Sequence, residues 1–112
     1  LSYIFADDTL AEVDVTAALP ADGQRIHGAI DRLIITDKTV LAVDFKTNRL
    51  VPNTPSETPD GLLRQMGAYR AALLQIFPDQ QIEVAILWTA TATLITLPES
   101  LVSNALAAVT AP

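Results

Sequence analysis

Residues Ala11 to Ala17 alternate between apolar and polar side chains: Val13 and Val15 share one face, and Glu12, Asp14 and Thr16 share the other. That period of two predicts a half-buried β-strand. The stretch L-P-A-D-G at Leu19–Gly23 is a turn signal. Two further strands are expected over Ile26–Thr36 and Val40–Lys46, joined by the short Asp37-Lys38 connection. Three successive strands with tight connections make an antiparallel meander.

The pattern then changes. Asn48 to Pro59 carries Pro52, Pro55 and Pro59 and reads as a loop. Thr58 offers an N-cap side chain, Pro59 suits the first helical position, and Asp60 suits the positive end of a helix. Leu62, Met66, Tyr69, Leu73 and Ile76 follow on one stripe at helical spacing, up to a stop near Phe77-Pro78-Asp79. Ile82–Thr89 is a near-continuous apolar run, as in a strand covered on both faces. A short strand over Thr93–Leu97 and a closing helix over Pro98–Val109, with Glu99 in its first turn, complete the chain. The order β-β-β-α-β-β-α predicts an α/β sandwich with helices packed on a mixed sheet.

Composition narrows the classes. At 112 residues, half of them hydrophobic, the chain suits one core. The absence of cysteine excludes disulfides, thiolate zinc sites and an iron–sulfur cluster held by this chain. No apolar run reaches the roughly 18 residues that a membrane span needs. Asp7, Asp8, Glu12 and Asp14 break up the start too early for a signal peptide, so a cytoplasmic location is expected. The abrupt apolar start at Leu1–Phe5 is expected of a segment cut from a longer chain. A net charge of −6 argues against binding nucleic acid by general phosphate neutralisation. It leaves room for clustered carboxylates that hold a cation.

Candidate chemistry falls on the three predicted strands. Glu12, Asp31 and Asp44 each bring a carboxylate, and Lys46 lies two residues past Asp44, on the same strand face. Val43 and Phe45 are expected to point the other way, into a core. One short connection separates the strands of Asp31 and Asp44, so the two acids can lie side by side. Such a pair repels itself unless a proton or a cation intervenes. Oxygen ligands with water suit magnesium or manganese, and a neighbouring lysine could orient water or stabilise charge on a phosphate. Taken singly these signals are ordinary: D-x-K on a strand is usually an ion pair, and Asp31-Arg32 reads equally as a solvated pair. Together they match phosphodiester hydrolysis.

The run Gly28-Ala29-Ile30-Asp31-Arg32, then Val43-Asp44-Phe45-Lys46-Thr47-Asn48, then Gln65-x-x-x-Tyr69, resembles the PD-(D/E)xK nuclease domain of AddA and RecB. The resemblance spans roughly Glu12 to Trp88 and implies a restriction-endonuclease-like mixed sheet flanked by helices. It implies that Asp31 and Asp44 are metal ligands, that the Phe45 carbonyl completes the shell and that Lys46 is the catalytic lysine. Glu12 would be the acid of the first core strand, and Gln65 and Tyr69 the helix motif. The D-F-K-T-N run without cysteines resembles AddA more than the relatives that carry an iron–sulfur cluster. Two departures stand out. The family's domain begins with a helix that can carry a histidine, and none precedes Leu1; His27, on a strand, does not replace it. There is also no G-x-x-x-x-G-K-[ST] phosphate loop, so this segment should not hydrolyse ATP.

The resemblance implies a Mg2+- or Mn2+-dependent nuclease domain, residues 1–112, within a helicase–nuclease that repairs double-strand breaks. Its partners would be DNA, the motor domains of the same polypeptide and an AddB-like second subunit. Those protein partners would supply the basic DNA channel. Two other readings stand beside it: a degenerate nuclease fold serving as a protein or DNA interaction module, and a stand-alone restriction-type endonuclease. Gly28 is expected where another backbone or a ligand approaches the strand. Gln65 is expected to find a partner at the end of the third strand. Met66 and Trp88 read as core residues, and His27 as structural or exposed.

Overall fold

The computed structural model describes residues 10–18, 25–48 and 51–110, with side chains for 12–15, 28–48 and 51–107. The expected turn at Leu19–Gly23 and the apolar start at Leu1–Phe5 lie outside the described residues. The elements run β1 (Leu10–Ala18), β2 (Arg25–Ile35), β3 (Thr39–Lys46), a short 3-10 turn (Pro55–Glu57), α1 (Asp60–Ile76), β4 (Gln81–Trp88), β5 (Thr93–Leu97) and α2 (Glu99–Thr110). The order is the one that the hydrophobic pattern predicts.

One five-stranded sheet has the spatial order β1-β2-β3-β4-β5. The meander β1-β2-β3 is antiparallel, β3 and β4 are parallel, and β5 returns antiparallel to β4. The parallel pair requires a crossover, and α1 provides it. This is the mixed sheet flanked by helices of a restriction-endonuclease-like fold.

The main core lies between the sheet and α1. Val40 and Ala42 of β3, Val84, Ile86 and Trp88 of β4, and Leu63, Met66, Tyr69 and Leu73 of α1 all belong to it. Alternation along β3 therefore places Asp44 and Lys46 on the helix-covered face, with Val40 and Ala42. Val43 points the opposite way into a buried layer, as expected, while Phe45 is only half-buried and Asp44 itself lies on the face that α1 covers. The other face is also closed at its centre: Val43 and Ala85 are 0% exposed. Burial on both faces is what the apolar run of β4 predicts.

Three local expectations are revised. Pro59, not Thr58, occupies the N-cap of α1, and no side chain caps the helix. The Thr58 hydroxyl is buried without a hydrogen-bond partner. Along α1, Leu63, Gly67 and Ala72 are buried together with Met66, Tyr69 and Leu73, whereas Ile76 is 54% exposed. For Gly67 the reason lies in α2: a Cβ there would collide with the Val102 carbonyl oxygen, so the two helices meet at Gly67 and the buried face extends beyond the apolar stripe.

Gly67 accordingly trades propensity for approach. Alanine in a helix interior is favoured over glycine by about 1 kcal/mol, yet the obstructing atom here belongs to backbone and cannot rotate away. Overpacking of this kind costs about 1–3 kcal/mol. Gly67→Ala should lower the urea midpoint despite its helix propensity. A raised midpoint would mean that α2 moves aside freely.

Candidate active site

Strand alternation breaks at one place in two adjacent strands. The β1–β2 register runs from Leu10↔Leu33 to Ala18↔Arg25 and omits only the step at which Glu12 would face Asp31. Glu12 there adopts a left-handed backbone with φ 53°, an uncommon conformation for a residue with a Cβ. Ile30 and Leu33, three positions apart, both reach the main core, so β2 changes faces between them. The β2–β3 ladder stops at the same level, its last pair being Arg32↔Val43.

Beyond that pair a side chain takes over from the backbone. The Phe45 N–H donates to Asp31 Oδ2 at 2.7 Å. Asp31 is half-buried, and this charge-assisted bond orients its carboxylate toward β3. Asp44, one step along β3, is 5% exposed. Lys46 Nζ lies 3.0 Å from Asp44 Oδ2, yet that oxygen has no well-formed hydrogen bond. Burial pushes the Asp44 carboxyl above the ordinary aspartate range; Lys46 pulls it back, and the adjacent Asp31 raises it further, leaving it raised.

Asp31, Asp44, Phe45 and Lys46 thus come together. Glu12 is exposed, and no group of three or more His, Cys, Asp or Glu able to hold a metal forms among the described residues. The structure does not gather Glu12 into the acidic pair. Two adjacent carboxylates, one of them buried with only the Lys46 ammonium against its Oδ2, have the chemistry to accept a hard divalent cation. The remainder of its shell would have to come from water, substrate or backbone.

Gln65 and Tyr69 brace this arrangement from α1. Gln65 Nε2 donates to Tyr69 Oη at 2.8 Å, and Tyr69 Oη donates to the Ala29 carbonyl at 3.3 Å. Gln65 therefore finds its partner one turn along its own helix, not at the end of β3 as expected, because the i and i+4 side chains share a face. Gly28 makes the contact possible: a Cβ there would lie 2.6 Å from Tyr69 Cε1. Gly28 was expected to face another backbone or a ligand; what crowds it is the Tyr69 side chain. His27 lies within β2, and its side chain falls outside the described residues.

The sequence matches the PD-(D/E)XK nuclease superfamily over residues 3–107, and the chain belongs to that family. It is similar to an ATP-dependent helicase/nuclease subunit from Oenococcus oeni (strain ATCC BAA-331 / PSU-1), with 32% identity over 63 residues, 56% of this chain and 5% of that protein. Among solved structures it resembles the crystal structure of SSO0001 with a TM-score of 0.54 and 17% identity. That match covers 97% of this chain and 52% of the other, and at this identity it supports the fold alone. The chain therefore spans a twentieth of the curated relative and about half of the solved one.

Two outcomes follow from this geometry. Because the folded Asp44 holds its proton more tightly than the unfolded chain does, its contribution to stability falls as pH rises from the ordinary value of 3.8 through the raised folded value. Asp44→Asn should remove that slope in metal-free protein and leave the neutral-pH melting temperature unchanged or higher. A clear drop would identify Asp44 as a structural ion-pair partner of Lys46. Gly28→Ala should cost about 1–3 kcal/mol by overpacking. Much of that loss should disappear in a Tyr69→Ala background, as a double-mutant cycle by urea denaturation would show.

Proposed function

We propose that this chain is the nuclease core of a DNA-repair helicase–nuclease, cutting phosphodiester bonds of DNA strands unwound during double-strand-break repair. The observation that carries the reading is the buried Asp44 carboxylate beside Asp31, with Lys46 Nζ 3.0 Å away. Family membership and partial similarity to a known helicase/nuclease agree with it.

Asp31 and Asp44 would hold Mg2+ or Mn2+, with the Phe45 carbonyl as a further ligand. Such an ion supplies charge stabilisation at the phosphate and a more acidic bound water. The chain's own residues do the rest. The Phe45 N–H fixes the orientation of Asp31. Lys46, 28% exposed at its side chain, is free to exchange its contact with Asp44 for one with an attacking water or a phosphate oxygen once the carboxylate is engaged elsewhere. Gln65 and Tyr69 act by holding β2 at Ala29, two residues before Asp31. Glu12 remains a candidate ligand only if its strand end turns inward when the site is filled.

The DNA-holding charge does not come from this segment, whose net charge is −6. Motor domains of the same polypeptide and an AddB-like partner fit that need, and the chain is then a cytoplasmic domain of a larger protein. An interaction module without catalysis is the other reading, but a degenerate site has no need to retain Asp31, Asp44 and Lys46 in contact.

Manganese titration followed by thermal melting tests the reading, because a ligand that binds only the folded state raises the midpoint. The midpoint should rise for the wild-type chain and stay fixed for Asp31→Ala. In the longer helicase–nuclease, Lys46→Ala should keep the manganese response and lower cleavage by two or more orders of magnitude, roughly the scale of removing an electrostatic stabiliser. The 112-residue chain alone should cleave DNA feebly. No midpoint shift at millimolar manganese, together with undiminished cleavage by the Lys46→Ala protein, would defeat the proposal.

A further inference from the structure

We propose that β5 is a docking edge, to which an uncharged extended strand from elsewhere in the larger protein adds and lengthens the sheet. From the proposed function the inference takes only that this chain is one domain of a longer helicase–nuclease.

The order β1-β2-β3-β4-β5 leaves the sheet two edges. An open edge pairs readily with other chains, and natural proteins blunt it with charge, proline or a bulge. β1 is blunted in two of these ways. Glu12 interrupts its register in a left-handed conformation, and Glu12 and Asp14 are both exposed. β5 has none of them. Its sequence T-L-I-T-L carries no charge, proline or glycine, and its register with β4 runs unbroken from Val84↔Leu97 to Trp88↔Thr93.

The bonding of β4 fixes which backbone groups of β5 point outward. The Gln81 N–H donates to the Lys38 carbonyl and the Thr89 N–H to the Lys46 carbonyl, each at 2.8 Å. Odd-numbered residues of β4 therefore turn their backbone groups toward β3, and Val84, Ile86 and Trp88 turn theirs toward β5. Opposite residues of an antiparallel pair bond each other or point apart, so Leu97, Ile95 and Thr93 bond β4. The N–H and C=O groups of Leu94 and Thr96 point away from the sheet. Among the described residues neither makes a backbone bond outside the strand ladder. Donors and acceptors repeating every second residue are what an added strand engages. Side chains flank that edge on both faces: Ile95 packs against the main core, Leu97 belongs to it, and Leu94 and Thr96 alternate to the other side.

Length and charge select the occupant. Stable association of free proteins engages about 20–30 residues on each side, and β5 offers five. A second copy, held by this edge alone and also carrying a net charge of −6, is disfavoured. A strand tethered in the same assembly is not so limited, because tethering raises its effective concentration. Two residues past Leu97, the Glu99 side chain is 72% exposed although it meets Arg70 at 2.8 Å. The incoming strand is therefore uncharged along β5, with a lysine or arginine at the end beside Glu99.

Hydrogen exchange read by mass spectrometry compares the 112-residue chain with the longer helicase–nuclease. In the chain alone, the Leu94 and Thr96 amides should exchange much faster than that of Ile95. In the longer protein they should slow by about tenfold or more, the effect of gaining one hydrogen bond each. Thr96→Pro removes an outward donor and no β4 bond, a change that edge strands tolerate. It should leave the melting temperature of the chain near wild type and restore fast exchange at Leu94 in the longer protein. Thr96→Lys keeps the backbone and adds an edge charge; it should act alike, and it carries the test if the proline variant does not fold. Equal exchange at Leu94 and Thr96 in both proteins overturns the docking edge, as does protection that survives the substitutions. Protection in the chain alone that grows with concentration, with a doubled mass in ultracentrifugation, overturns the proposed occupant in favour of a second copy. Manganese melting of the same samples reads the nuclease proposal separately. Protection of β5 without a manganese response keeps the edge and defeats that proposal, and a response without protection does the reverse.

Discussion

The hydrogen bond from the Phe45 N–H to the Asp31 carboxylate joins the scaffold to its chemistry. A backbone ladder would ordinarily continue past Arg32↔Val43, and the next two residues in step are Asp31 and Asp44. Continued pairing there would use up the backbone groups around both acids. The carboxylate of Asp31 accepts the β3 amide instead, which keeps that donor satisfied while β2 turns away. Changing face between Ile30 and Leu33 lets β2 contribute apolar residues to one core on both sides of the break. The acid pair occupies the break itself.

Placing an acid there has an energetic consequence. Asp44 lies on the helix-covered face of β3, after Val40 and Ala42, and is buried with a like charge beside it. Lys46 offsets part of the cost, and the raised carboxyl pKa reports what is left. A well-packed apolar residue would serve this position better for stability alone, as the proposed catalytic role of the acid pair leads one to expect. The bracing from α1 belongs to the same set of contacts: Gln65 orients Tyr69, Tyr69 bonds the Ala29 carbonyl, and Gly28 leaves the room. The helix thereby secures the strand just before it bends.

Much of this architecture was legible in the residues. Alternation in β1, the apolar run of β4 and the proline-rich loop before α1 each carry a local physical signal, and every element appears in the expected order. The D-F-K spacing marked the Asp44–Lys46 pair of β3, and Gln65-x-x-x-Tyr69 the hydrogen-bonded pair of α1 that holds β2. Strand periodicity could say that Asp44 and Lys46 share a face; it could not say which face α1 would cover. That choice depends on the crossover linking β3 to β4, a relation between distant segments. The same limit explains Gly67, whose burial follows from where α2 meets α1, and Thr58, whose hydroxyl could cap a helix but does not.

By itself the sequence determined the elements and their order, because periodicity within a strand or helix encodes them, and its motifs carried the acid–lysine set and the family by resemblance. Only the tertiary structure decided that Glu12 stays apart from Asp31 and Asp44, that Asp44 is buried, and that Gly28 is required by Tyr69 from forty-one residues away along the chain. A groove whose described lining includes Asn48, Val51, Glu57 and Trp88 belongs to the same class. Its walls come from the end of β3, the loop into α1 and the end of β4, and no local pattern records that they converge. Burial and convergence arise when segments remote in sequence pack against one another, and that packing is what a linear pattern of residue types does not contain.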